Sequence, residues 1–149
     1  MKRLLWLLLT MATPLFAQTV STNHYDTLKN SRWFAISGGF ANATTPESYA
    51  VAAICEQTNA TSTFQRLLQE PAPAQQLYGL LGLHLIKAGE FKAALPSLLI
   101  SKAKVRVLMG CIAGERDVAE VARQIQNNQW RLRVVPVPGG KYASAVVEH

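Results

Sequence analysis

Along the middle of the chain, apolar positions recur at offsets of three and four, the spacing that lines one face of a helix. Val51, Ile54 and Cys55 form the first such stripe. It follows Thr45-Pro46-Glu47-Ser48. There Thr45 suits the N-cap, Pro46 the first helical position and Glu47 the positive end of the helix dipole. The pattern predicts a helix over Pro46 to Gln57, then a polar break at Thr58 to Thr61. Phe64, Leu67 and Leu68 predict a short second helix over Ser62 to Glu70. Pro71 ends it, because the residue before a proline avoids the helical region.

Pro73 to Ala88 is the strongest element. Its centre, from Leu77 to Ile86, reads LYGLLGLHLI and is apolar around most of its circumference. Such a helix belongs in the middle of a core, and its apolar run is too short to span a bilayer. Gly79 and Gly82 each cost about 1 kcal/mol against alanine in a helix interior. Close approach of a neighbouring helix is the expected compensation. Gly89 is the expected C-terminal stop. Phe91, Ala94, Leu95, Leu98 and Leu99 predict a further helix over Glu90 to Ile100, which Pro96 should kink or shorten.

Beyond this the period changes. Val105, Val107 and Met109 alternate as a strand does, although Val105, Leu108, Met109 and Ile112 also fit a helix. The β-branched pair around Arg106 favours a short strand over Lys104 to Cys111. Gly114 precedes an expected helix over Glu115 to Asn127, with Val118, Val121, Ala122 and Ile125 inward. Trp130, Leu132 and Val134 suggest a second strand. Pro136, Pro138, Gly139 and Gly140 then break structure.

The two ends read differently. Residues Met1 to Ala17 place Lys2 and Arg3 ahead of a short apolar run and end on a small residue, Ala17, followed by Gln18. This is the layout of a secretory signal peptide cleaved between Ala17 and Gln18. Gln18 to Ser31 is polar without an apolar period and is expected to be a loose arm. Trp33, Phe34, Ile36 and Phe40 cluster around Gly38-Gly39 as a docked loop or a short edge strand. The organisation expected is a signal peptide at 1–17, an arm at 18–31, one helical domain at 32–141 and a tail at 142–149. The fold class expected is mainly α. Its short helical hairpins have the texture of irregular HEAT-like units, with a small two-stranded β element near the C-terminus.

The stretch from Ser62 to Asn127 resembles part of a group of secreted bacterial helical proteins to which no activity is assigned. The residues that carry the resemblance are Gln76 to Leu83, then Gly110-Cys111-Ile112, then the helix holding Val118 and Ile125. The resemblance implies a bacterial, exported, mostly helical protein, and it brings no catalytic residue with it.

Composition adds compartment and charge. The chain has 149 residues, 49% of them apolar and 16% charged, which sets it apart from disordered sequences. The formal net charge is +6, unevenly spread. Lys87 to Lys141 carries ten basic residues against Glu90, Glu115, Asp117 and Glu120. A basic half can attract phosphates or anionic lipids of an envelope surface; a well-solvated exterior is the plainer reading. There are two cysteines, Cys55 and Cys111. In an oxidising compartment they are expected to pair, closing a loop of about 57 residues worth on the order of 4 kcal/mol. Both lie in apolar settings, Ile54-Cys55 and Cys111-Ile112, so the alternative is two separate buried thiols.

Candidate chemistry is sparse. His84 is the one histidine inside the core pattern and would serve as a general base only beside a nucleophile such as Cys55 or Cys111. A satisfied structural histidine is the plainer reading. No nucleophile elbow, zinc-binding helix motif, phosphate loop or dinucleotide fingerprint occurs. No catalytic, cofactor or metal residues are therefore assigned. Tyr25, between His24 and Asp26, reads as surface. Asn42 and Asn59 match glycosylation acceptors but read as turn residues. Arg131 and Arg133 flank Trp130 and Leu132, an interleaving seen in nucleic-acid binders, though an exported protein is not expected to meet that partner. The function expected is an exported scaffold or binding module with another envelope protein as partner, and no membrane span after cleavage. The alternatives are a small hydrolase or thiol enzyme using His84 with a cysteine, and a peripheral binder of anionic surfaces.

Overall fold

A computed structural model describes residues 23–38, 43–130, 132–136 and 142–146. The expected signal segment with its Ala17–Gln18 junction, Phe40, Asn42, Arg131 and the break at 137–140 lie outside the described residues.

The protein is mainly α with a small mixed sheet. In chain order the elements are α1 (His24–Lys29), β1 (Phe34–Gly38), β2 (Ala43–Thr44), α2 (Pro46–Cys55), α3 (Ala60–Leu68) and α4 (Pro73–Leu85). They continue with α5 (Glu90–Leu99), β3 (Lys104–Gly110), β4 (Ile112–Asp117), α6 (Val118–Gln126), β5 (Arg133–Pro136) and β6 (Tyr142–Val146). Four strands form one sheet in the order β2-β1-β3-β4, and β5 pairs with β6. The parallel partners β1 and β3 are joined through α2 to α5.

Helix α4 occupies the centre. Leu77, Tyr78, Leu80, Leu81 and Leu83 are all fully buried. The two glycines do what their cost requires. A Cβ on Gly79 would lie 2.7 Å from the carbonyl oxygen of Phe64, and one on Gly82 would lie 2.2 Å from the Phe64 ring. Helix α3 therefore lies against α4 more closely than any side chain would permit. Tyr78 fastens another side. Its hydroxyl accepts from the backbone N–H of Ala35 at 2.8 Å and donates to the carbonyl of Trp33 at 2.8 Å. The Phe34 ring packs on Tyr78 and, edge-on, on Trp130, each at 5.0 Å.

Helix ends follow local chemistry. Thr45 caps α2 as expected, accepting from the N–H of Ser48 at 3.1 Å, and also donates to the carbonyl of Ala35 at 2.8 Å. The stop of α4 differs from expectation. Gly89 opens α5 with an ordinary φ of −60°, whereas Lys87 adopts the left-handed φ of 54°. The N–H of Ala88 bonds the carbonyl of Leu83 and that of Lys87 bonds the carbonyl of His84, the Schellman pattern. Helix α6 ends the same way at Asn128, φ 56°, with Gln129 bonding Gln124 and Asn128 bonding Ile125. Helix α5 runs on past Pro96 to Leu99. Proline removes one ladder donor, and the exposed position lets water meet the carbonyl left over.

Four expectations are corrected. The stretch taken as a loose arm contains α1, and Leu28 on it is 0% exposed in the common core. A single leucine gives no periodicity, so its burial was not legible. The Phe34 segment is an inner strand, neither loop nor edge, because Phe34, Ala35, Ile36 and Ser37 are buried on both faces. Glu115 to Asp117 belong to β4, where they pair with Lys104 to Arg106, and the last helix starts at Val118. The stretch taken as a tail contains β6, antiparallel to β5. The strand expected over Lys104 to Cys111 is present as β3, with Val105 and Val107 buried and Lys104 and Arg106 exposed.

Two substitutions test this packing. Gly82→Ala should destabilise by about 1–3 kcal/mol, since overpacking against Phe64 outweighs the gain in helix propensity. Lys87→Gly should stabilise by about 0.5–1 kcal/mol by relieving the left-handed backbone. Urea midpoints of the two variants should move in opposite directions.

Candidate functional site

The close contact of α3 with α4 leaves a groove on the outer side of α3, facing α5. Its wider mouth, about 550 Å³, is lined by Ser62, Gln65, Arg66 and Leu68 of α3, with Gln69 just beyond, and by Glu90, Ala93 and Ala94 of α5. A narrower continuation of about 390 Å³ shares Leu68, Gln69, Ala93 and Ala94 and adds Gln76, Ser97, Leu98 and Ser101. The first volume falls within the range of ordinary ligand sites. The floor is Leu68, Ala94 and Leu98, at least half-buried, and the rim is amide and hydroxyl with the charged Arg66 and Glu90 at the wider mouth. Gln76 is steadied by donating to the carbonyl of Glu70 at 2.9 Å. The helical stripe of α3 explains the division. Phe64 and Leu67 turn to the core, which leaves Ser62, Gln65, Arg66 and Gln69 on the outer face.

The groove mouth is braced from α1. Tyr25 donates its hydroxyl to Glu70 at 2.5 Å, Lys29 lies 3.3 Å from the same carboxylate, and the Arg66 guanidinium stands 4.3 Å over the Tyr25 ring. The hydroxyl bond, helped by the neighbouring cations, holds the Glu70 carboxyl below its ordinary range. The same bond, with burial, pushes the Tyr25 hydroxyl up. Tyr25 is thus half-buried and partnered, whereas its polar neighbours marked it as surface. Nothing in the local sequence links it to Arg66 or Glu70, more than forty residues away.

The residues singled out by sequence do not assemble into one site. Cys55 and Cys111 are free and out of disulfide range, so the expected bond is absent. Cys55 ends α2, packed against the core, while Cys111 is exposed at the turn between β3 and β4. Apolar neighbours suggested burial for both, but a two-strand hairpin carries Cys111 away from the core. His84 pairs through Nε2 with Oδ1 of Asn128 at 2.8 Å and packs on Phe91 at 4.7 Å. It is a bridge between the ends of α4 and α6, set by the left-handed turn that orients Asn128. Trp130 is buried and donates to Gln124 at 3.2 Å, so its ring is not offered to a base. Asn59 is exposed ahead of α3.

The basic half is partly neutralised in place. Lys104 meets Asp117 at 2.9 Å, Arg116 meets Glu120 at 2.7 Å, and Arg106 stands opposite Glu115 in register and 5.5 Å over Trp33. Such exposed pairs contribute about 0–1 kcal/mol each. Among the described residues, no three of His, Cys, Asp and Glu gather as a metal site, and no helix is long and apolar enough to cross a membrane. Comparison with known protein families, characterised proteins and solved structures gives no match.

The thiols give a direct check. In the folded protein Cys111 should react with a thiol reagent at once and Cys55 only on unfolding; two fast thiols, or none, would contradict the placement. Burial pushes the Cys55 thiol up to about 12. The folded state then holds this proton more tightly than the unfolded chain. Its contribution is full below about pH 8.5, the range of a free thiol, and is lost as pH rises toward the folded value. Urea midpoints should fall over that alkaline range, and less so in Cys55→Ala.

Proposed function

We propose that this protein is an exported binding module of the bacterial envelope, and that the groove between α3 and α5 receives a segment of a partner protein. The observation that carries the reading is the groove itself, with an apolar Leu and Ala floor under a rim of amides and hydroxyls. Small residues on the floor let a backbone approach, and glutamine side chains both donate and accept. A peptide presents the same two needs. In this reading α3, α4 and α5 act as irregular HEAT-like hairpins that hold the groove open. The basic start, apolar run and small residue of Met1 to Ala17 support export.

A photo-cross-linking residue at Ser97, in cells that export the protein, tests this. It should yield one discrete protein adduct, which Ala93→Arg in the same chain abolishes by filling the groove. The same residue at the exposed Glu115 of β4 should not yield that adduct. Identical adducts at both positions, or a protein retained in the cytosol with its first 17 residues, would overturn the reading.

A further inference from the structure

We infer that the occupant of the groove is an extended peptide of mixed charge, with an acidic side chain set against Arg66 and a basic one against Glu90. This rests on the groove being the binding surface and adds what it selects.

Arg66 and Glu90 stand on opposite rims of the same mouth. Neither forms an ion pair among the described residues, so they do not meet across the groove. The carboxylate close to Arg66, that of Glu70, is already engaged by Tyr25 and Lys29. The Arg66 guanidinium carbon stands 4.3 Å over the Tyr25 ring, and a guanidinium held over a ring can keep its edge N–H groups for a carboxylate. Arg66 is thus a set and uncommitted anion-binding group, and Glu90 is its counterpart on the other wall. A uniformly anionic ligand, such as a nucleic acid or an acidic lipid surface, would set like charge against Glu90. A uniformly cationic one would do the same against Arg66. A chain carrying both signs satisfies both rims. In an extended strand, alternate side chains share one face at about 6.6–6.8 Å, so two charges two or four residues apart can address the mouth together. The same mouth is lined by Leu68 and Ala94, and by Gln65 and Gln69, whose amides suit a peptide backbone.

Short synthetic peptides with a Ser, Ala and Val background test this against the full mature protein. They carry one Asp and one Lys two or four residues apart, in both orders. Fluorescence anisotropy should show that one order binds about three- to fivefold more tightly than the reverse, the scale of exposed ion pairs. The preference should shrink at high salt. The double exchange R66E/E90R should reverse it. Tyr25→Leu, which keeps every charge of the mouth but removes the support of Arg66, should reduce it while leaving the thermal midpoint well above assay temperature. Equal binding of both orders, equal binding of an uncharged peptide, no binding at all, or an exchange without effect in a folded variant would overturn the inference. If the Ser97 adduct forms while no charge order is preferred, the groove reading stands and this inference falls. If neither is seen, both fall.

Discussion

The contact between Phe64 and the two glycines of α4 is the constraint on which the rest depends. With Cβ positions 2.2 and 2.7 Å from Phe64 atoms, no other residue type fits at Gly82 or Gly79 without movement. Two glycines in a helix interior give up about 2 kcal/mol of propensity. Burial of the large side chains around them offsets this, at roughly 1.5–3 kcal/mol for each fully buried leucine or phenylalanine. Once α3 is fixed on one side of α4, β1 can take another, where the Tyr78 hydroxyl accepts from the buried N–H of Ala35 and donates to the carbonyl of Trp33, which the Ser31 hydroxyl also serves. Such satisfaction matters more than the bond itself, because a lone buried donor costs about 1–3 kcal/mol.

The groove follows from this arrangement. Helix α5 packs on α4 and α6 more extensively than on α3. Helix α3 is drawn inward by the glycines, and the space between its outer face and α5 stays open. That space has Leu68, Ala94 and Leu98 beneath it, amides and hydroxyls around it, and Arg66 and Glu90 at the mouth. Helix α1 completes it from outside the helical run. Leu28 anchors α1 in the core, and the carbonyl of Lys29 accepts from Gln75. Tyr25 is thereby placed to support Arg66.

The sheet shows how one edge is left open. Strand β3 has one face on the helices and one in water, with Lys104 ion-paired to Asp117 and Arg106 opposite Glu115 in register on the outward side. Strand β4 lies at the edge, guarded by charges in its second half, as edge strands commonly are. At the other end of the hairpin Cys111 is exposed and Ile112 is 72% exposed. The turn has outrun the helical layer. This is why Cys111 has no neighbour of the kind its apolar setting promised.

The sequence by itself determined the helices over the middle of the chain, the cap at Thr45, the burial of α4 and the need for a close neighbour at Gly79 and Gly82. Each is written within about ten residues, in a period, a cap or a glycine pair. Tertiary structure decided what local pattern cannot carry. It buried Leu28 from a polar segment, made the Phe34 strand an inner one, and drew Glu115 to Asp117 into a strand through pairing with Lys104 to Arg106. It gave His84 to Asn128 rather than to a cysteine, and kept Cys55 apart from Cys111. It joined Tyr25, Arg66, Glu70 and Glu90 around one groove. Those partners lie tens of residues apart, and which of them meet is set by the packing of whole helices, a quantity no short window of sequence contains.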